Sequence, residues 1–424
     1  MRVGRRRRWL KLALALFGAL LITQTPFIYR RYQMGRLAAT IAQLDAQRSV
    51  NTNDAYADYK GALHVHSSLG GHSTGTLADI IQAARTNSLA FVVMTEHPAA
   101  DMDTAAQTLS GLHGGVLFVA GNETNESADD RLLTIGPNAR TMPAPPNAST
   151  QDLIDQAKLA DQFVFIAHPE TFRSWQTARG FDGMEVYNLH ANAKQINRLT
   201  LFFDGLWSYH AYSHLLWTRF YETPSENLRR WDELTTQGRR VVAIAGNDAH
   251  ANVGLSLQQL TGKPILQLKL DPYERSFQVV RTHVLIAKDR PLDTISLLSA
   301  LRSGHAYVAF DILCDATGFR FTAEGGGRTV LMGEIIVLAD DGLRLRATAP
   351  VESRLVLIKD GIKFAEVTAR QHEWVVTQPG VYRIECYLPQ LGAPLDQKPW
   401  IISNPIYVWD QAHWQSWWAE TLKS

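Results

Sequence analysis

The residues of this chain that could do chemistry are histidines and a few carboxylates, and their types and spacing point to metal ions. His64, His66, His72 and His97 fall in one stretch, GALHVHSSLGGHSTGTLADIIQAARTNSLAFVVMTEH, from Gly61 to His97. Imidazole is the commonest side-chain metal ligand. Alternate side chains of a β-strand face the same way, so His64 and His66 can reach one ion from one strand. A lone histidine is more often a structural group than a ligand. The later sequence changes that weighing, because Glu123, His168, His190, Asp248 and His250 each fall at or just after the end of an apolar run, the placement that His97 also has. Mixed imidazole and carboxylate ligands suit Zn, Mn or Fe.

The elements that must position these residues are short. The apolar runs are Gly61 to His66, Phe91 to His97, Val116 to Glu123, Phe163 to His168, Met184 to Asn188 and Val241 to Asp248, too short for helices and bounded by turn residues. Between them, Thr76 to Ser88 and Ser149 to Asp161 have the apolar spacing of amphipathic helices, the first through Leu77, Ile80, Ile81 and Ala84, the second through Leu153, Ile154 and Ala157. Strands alternating with helices predict an α/β fold with a parallel sheet or barrel. In such barrels the catalytic residues collect at the C-terminal ends of the strands, which is where these ligands fall.

The set resembles the PHP family, named for polymerase and histidinol phosphatase. The resemblance is carried by HVH at His64 to His66, TEH ending in His97, the lone Glu123, HP at His168, His190, and DAH at Asp248 to His250, across residues 58–260. It implies a distorted (β/α)7 barrel and two or three divalent transition-metal ions. Carried over position by position, it implies that His64, His66, Glu123 and Asp248 hold a first ion, Glu123, His168 and His190 a second, and His72, His97 and His250 a third. Glu123 would then bridge two ions, a role that suits a carboxylate with its two oxygens and negative charge. Glu123, Asp248 and His190 are the implied catalytic residues. In one respect the chain departs from the family's pattern: Glu96 stands where an aspartate is usual, and its longer arm changes which histidine it can orient.

Paired cations generate hydroxide near neutral pH and stabilise charge on attacking and leaving oxygens, and a phosphoester gains most from them. No glycine-rich phosphate loop at a strand-to-helix junction is found. The expected function is therefore a phosphoesterase, either phosphatase or phosphodiesterase, with a metal-bound hydroxide attacking phosphorus. The stretches SALRSGHAYVAF and KPWIISNPIYVW resemble the carbaryl hydrolase-like branch of the family, which implies instead a carbamate, ester or amide hydrolase on the same metals. A third reading, a membrane-anchored metal- or ligand-binding protein without catalysis, predicts a degenerate ligand set, and this one is complete. Arg173, five residues after His168, is a candidate phosphate contact. The aromatic segment LFFDGLWSYHAYSHLLWTRFYETPSENLRRW offers Tyr209, His210, His214 and Tyr221 as a lid or substrate wall, although aromatics are usually core.

Charge is distributed unevenly. The 424 residues carry a net +1, but the first 36 hold nine Arg or Lys and no Asp or Glu, leaving 33 basic against 41 acidic residues and a net of −8 in the remainder. An acidic body argues against nucleic acid as a partner and leaves a small ester or phosphoester as substrate. The N-terminal basic cluster precedes an apolar run from Leu12 to Ile22, extendable to Tyr29 and closed by Arg30 and Arg31. With no small-x-small cleavage site after it, an uncleaved signal anchor that enters the membrane is expected over a removed signal peptide. Six basic residues before the run against three after it place the N-terminus inside and the catalytic domain outside the cytoplasm, in the periplasm or beyond.

The predicted organisation is a basic segment and anchor at 1–36, a linker at 37–58, the PHP domain at 59–290, a connecting helix and strand at 291–312, a small all-β sandwich-like domain at 313–410, and a Trp-rich helix at 411–424. Cys314 and Cys386 are expected either to pair or to remain buried thiols.

Overall fold

The structure, a computed structural model, describes residues 2–99, 101–125, 130–136, 139, 148–193, 197–252, 254–258, 264–269, 272–412 and 414–415. The apolar runs become strands: β1 Tyr56–Val65, β2 Phe91–Met94, β3 Gly111–His113, β4 Val116–Val119, β5 Gly121–Asn125, β6 Arg131–Ile135, β7 Phe163–Ala167, β8 Gly183–Asn188 and β9 Val242–Ala249. Every residue of β2, β4, β7, β8 and β9 is buried, which is why these strands read as continuous apolar stretches without alternation.

Parallel pairing joins β1 to β2 and β9, β2 to β4, β9 to β8 and β8 to β7. The circuit is completed by β6, which runs antiparallel to both β5 and β7, and by a parallel bridge from Glu96 to Asn122. Sequence alternation did not reveal β6, because RLLTI is five residues long with no helix before it. The two expected helices form as Leu77–Thr86 and Thr150–Leu159, each opened by a reciprocal capping box, Thr76 with Asp79 and Ser149 with Asp152.

One expected boundary is drawn differently. Residues 37–46 are no free linker but the last turns of one helix, Arg2–Ala46, which is apolar and long enough to cross a membrane. Its end is held down: Leu44 is 2% exposed, and Asp45 Oδ1 accepts from Asp315 N at 3.2 Å. The helix and strand expected at 291–312 form as Thr294–Arg302 and Ala306–Ala309. Strand Arg281–Ala287 pairs antiparallel with β1 and with Ala306–Ala309, which in turn pairs with Ile401–Ser403 of the C-terminal sheet. In that sheet one long strand, Leu343–Lys359, turns at Asp360-Gly361 into Ile362–Val376. Both turn residues have positive φ, 51° and 79°, the geometry of a tight two-residue hairpin. Cys314 and Cys386 are buried free thiols. Of the Trp-rich tail, Trp417 and Trp418 lie outside the described residues, while the ring of Trp414 lies 6.3 Å from that of Trp409.

A buried ionic network ties the barrel to the C-terminal strands. Asp58 on β1 faces His283 Nδ1 at 2.9 Å and accepts from Tyr307 Oη at 2.8 Å and Arg320 Nη1 at 3.1 Å; Asp311 faces His283 Nε2 at 3.3 Å and Arg281 Nη1 at 3.0 Å. Burial pulls the His283 pKa down, but Asp311 and Asp58 outweigh it and push it up to about 9. A folded pKa above the unfolded value of about 6.5 contributes stability in full below about pH 6.5 that is lost as pH rises through about 9. The unfolding free energy of the detergent-solubilised protein is expected to fall by about 3 kcal/mol between those limits. His283→Gln should be less stable at pH 6.5 and flatter across the interval, and a variant with the wild-type slope would exclude His283 as the titrating group.

Candidate metal centre

Most of the candidate ligands sit at or near the end of a strand. His64 and His66 flank Val65, the last residue of β1, His97 follows β2, Glu123 lies within β5, His168 follows β7, and Asp248 and His250 close β9. Three of them have left-handed backbone: His64 at φ 63°, His168 at 48° and Asp248 at 48°. Such φ values are uncommon away from glycine and carry strain that clusters at functional sites. The ladders of β1 with β2 and with β9 both shift register across His64. His64 and His66 therefore converge through an irregular strand end, and the regular alternation expected from HVH is not what aims them.

Glu123 and Asp248 are the hubs. Glu123 Oε2 lies 3.3 Å from His64 Nε2, 3.4 Å from His66 Nε2 and 3.2 Å from His97 Nε2, and its Oε1 lies 3.5 Å from His168 Nε2. Asp248 Oδ1 lies 3.5 Å from His64 Nε2, 3.6 Å from His66 Nε2 and 3.3 Å from His250 Nδ1, with Oδ2 at 3.3 Å from His168 Nε2. Three sets of ligand atoms each fit within 4.8 Å: His64, His66 and Asp248; His64, Glu123 and His168; His66, His97 and His250. The grouping differs from the expected one in one way. His66 is shared with the His97 and His250 set, its ring stacked 4.6 Å from His97 and 4.3 Å from His250. His190, which the resemblance set with Glu123 and His168, is on the short helix Leu189–Ala193 with its ring 5.4 Å from that of His250.

His72 is exposed, its ring 4.6 Å from that of His97. Its loop is tied to the segment after β9, with Ser73 Oγ donating to the His250 carbonyl and Thr74 N donating to Asn252 Oδ1 at 2.9 Å.

A test of whether these residues fit metal ions lies in their unpartnered atoms. His64 Nε2, His66 Nε2, His168 Nε2, Glu123 Oε2 and Asp248 Oδ1 are all buried without a hydrogen-bond partner, although they face one another. Leaving one such atom unsatisfied costs about 1–3 kcal/mol, more for a charged group. Five orphans converging on one place suit cations and suit little else.

The electrostatics agree. Burial lowers the pKa of His66 to about 3 and that of His97 to about 4, keeping both as neutral imidazoles that can ligate. Burial also pulls on His64, but Glu185, Asp248 and Glu123 outweigh it and hold the ring well above its usual range; at His168, Asp248 and Glu170 outweigh burial and raise the ring to about 10. Burial would raise Glu123 and Asp248, yet the facing imidazoles, His64 foremost, keep both carboxyls far below their ordinary range. The two carboxylates thus demand positive charge, which divalent ions would supply.

The residues that aim the ligands were not singled out from sequence. Glu185, in the middle of β8, faces His64 Nδ1 at 2.5 Å and accepts from His168 N at 3.1 Å and Asn188 Nδ2 at 3.0 Å. A carboxylate centred in a buried strand, GMEVYN, was the available signal, because such a charge needs a partner. Gly246 on β9 makes room for it: a Cβ there would lie 1.9 Å from Glu185 Oε1. Arg131, the first residue of β6, places Nη1 3.4 Å from Glu123 Oε1. Glu96, expected to orient a histidine, reaches the loop after β1, accepting from Ser67 N and Thr108 Oγ1, both at 2.9 Å.

Among the proposed substrate contacts, Arg173 is exposed and its backbone N donates to Asp130 Oδ1 at 2.6 Å. Tyr209 and His210 lie on the helix Arg198–Tyr212, with the Arg275 guanidinium 4.5 Å above the Tyr209 ring. His214 follows that helix, and burial, with Arg275 nearby, lowers its pKa. Tyr221 is a correction. It is fully buried, stacked 3.7 Å from Phe310 with its hydroxyl on the Pro399 carbonyl, so it has no surface to offer a substrate.

No family model matches this sequence, and no curated protein matches it. Among solved structures, the chain is similar to a two-domain protein from Bacteroides vulgatus described as containing a predicted PHP-like metal-dependent phosphoesterase, at 14% identity and a TM-score of 0.40, covering 84% of this chain and 98% of that one. It is also similar to PsfC from Pseudomonas syringae, at 13% identity and a TM-score of 0.39, covering 60% of this chain and 92% of that one.

Proposed function

We propose that the chain is a metal-dependent hydrolase of the PHP type, a distorted (β/α)7 barrel with a sandwich-like C-terminal domain, and that it hydrolyses a phosphoester. The observation that carries this reading is the convergence of buried, unpartnered atoms from His64, His66, Glu123, His168 and Asp248. These five would hold two ions, and His97 and His250, with His72 beside them, a third. Bound divalent ions would lower the pKa of water at the site and offset charge on the reacting oxygens. Glu185 holds the His64 ring in place from behind, and Glu123 and Asp248 stay ionised to receive cations.

The choice of a phosphoester over a carbamate is supported by Arg131. Its side chain is 35% exposed while its guanidinium reaches the Glu123 carboxylate, which puts a fixed positive charge at the rim of the cluster. Phosphoryl oxygens pair with such a group, and a neutral carbamate has no comparable use for it. The apolar wall that a carbamate's aryl group would need loses Tyr221 to the core.

Elemental analysis of the detergent-solubilised protein, expressed in metal-replete medium, is expected to find two or three transition-metal ions per chain. A screen of p-nitrophenyl phosphate, bis-p-nitrophenyl phosphate and aryl carbamates should give turnover on a phosphoester. Arg131→Met should raise KM for it by about tenfold, or about 1.4 kcal/mol, the loss of one charge-assisted contact. At most one ion per chain would refute the multinuclear site, and turnover confined to carbamates would refute the phosphoester.

A further inference from the structure

The helix Arg198–Tyr212 has its polarity inside out. Asp204 is 1% exposed and Ser208 fully buried, while Leu199, Phe202 and Leu206 are 68%, 58% and 66% exposed. Spacings of three and four residues put those three side chains on one outward stripe. Asp204 is neutralised from within by Arg30 Nη1 at 3.3 Å and Arg219 Nη2 at 3.0 Å. A helix packed on a water-exposed surface presents the opposite arrangement.

Its neighbour explains the inversion. Phe27 of the N-terminal helix lies 5.0 Å from the Phe203 ring, Arg30 meets Asp204, Arg31 Nη1 donates to the Trp207 carbonyl at 2.6 Å, and the Arg31 guanidinium lies 5.6 Å from the Tyr212 ring. From Phe27 onward the contacts advance in the same direction along both helices, so the two run side by side in parallel. Leu199 to Leu206 are therefore level with the end of the apolar run, where Leu21, Ile22 and Ile28 are also exposed. A span needs about 20 apolar residues to cross the hydrocarbon. Counted from Leu10, it ends near Tyr29, and Tyr29, Tyr32 and Trp207 beside Arg30 and Arg31 match the aromatic and basic residues of a bilayer boundary.

We propose that Arg198–Tyr212 is a second membrane element, lying at the acyl–headgroup boundary of the leaflet from which the N-terminal helix emerges, with Leu199, Phe202 and Leu206 in lipid. The occupant of this face is the bilayer, because the stripe is continuous with the lipid-crossing surface of the first helix. The inference does not rest on the metal-hydrolase reading.

The test uses the full chain, reconstituted in phosphatidylcholine and phosphatidylglycerol vesicles and labelled with an environment-sensitive fluorophore at Phe202→Cys, Leu206→Cys or, as a control, Leu159→Cys. Leu159 is 89% exposed and far from the stripe in sequence, and the native cysteines are buried. Labels at 202 and 206 should lose most of their emission to doxyl groups on the lipid chains and resist aqueous iodide, while the label at 159 does the reverse. Iodide quenching at 202 and 206 without doxyl quenching would overturn the proposal, and so would resistance to both, which would mean that protein covers the stripe.

Discussion

Glu123→Gln is expected to lower turnover of the phosphoester by at least about a thousandfold, or about 4 kcal/mol, and to lower metal content with it. Gln keeps the shape of the side chain and removes its charge. Glu123 Oε2 faces three imidazole nitrogens between 3.2 and 3.4 Å away, and Oε1 faces a fourth. An amide nitrogen in either position is a donor with no lone pair for a cation. The ions of the proposed cluster would lose both a shared ligand and the charge that offsets their mutual repulsion. His72→Ala is the contrasting variant. His72 is exposed and reaches only the His97 ring among the described ring contacts, so its loss should weaken one of the three ion positions and leave part of the activity. Elemental analysis and steady-state kinetics on the two variants decide the matter. A Gln variant with full metal content and near-normal turnover would mean that Glu123 is not the bridge.

The second large effect comes from a residue that touches no ligand. In Gly246→Ala the three nearest atoms to the new Cβ all belong to Glu185, the first at 1.9 Å, so the carboxylate must move away from His64 Nδ1. Loss of the group that orients a metal-bound histidine typically costs ten- to a hundredfold in metal affinity or activity, or about 1.4–2.7 kcal/mol. Glu185→Ala should cost about as much, and Glu185→Gln less, because its amide oxygen can still accept from the ring. If Gly246 acts through Glu185, the double variant Gly246→Ala with Glu185→Ala should be no worse than Glu185→Ala alone. Metal titration of the four proteins checks this. Losses that multiply in the double variant would show that Gly246 works by another route.

The amino-acid sequence by itself determined which residues could ligate and roughly where each would stand. Imidazole and carboxylate are few in kind, and most of the candidates stand at or just after a buried strand whose apolar run is readable without its neighbours. His64, His66, His97, Glu123, His168, Asp248 and His250 come together in space from five strands. The helix starts were equally legible, because a capping box is a local device: Thr76 with Asp79 and Ser149 with Asp152 need no partner beyond one turn.

What the tertiary structure alone decided depends on contacts between distant segments. Which ligands share a set follows from how β1, β5, β7 and β9 close on one another and from the left-handed turns at His64, His168 and Asp248, none of which periodicity encodes. The pairing of Glu185 with Gly246 joins two strands 61 positions apart in sequence, visible only once β8 lies beside β9. Arg131 reaches Glu123 because β6 runs antiparallel to β5, an exception to the alternation that predicted parallel strands. The residues between the N-terminal apolar run and β1 looked polar enough to be a linker, yet Leu44 and Asp45 dock on the body. Periodicity marks a helix's faces but does not say whether water, protein or lipid meets them. On Arg198–Tyr212 that depended on a neighbouring helix more than 160 residues earlier in the chain.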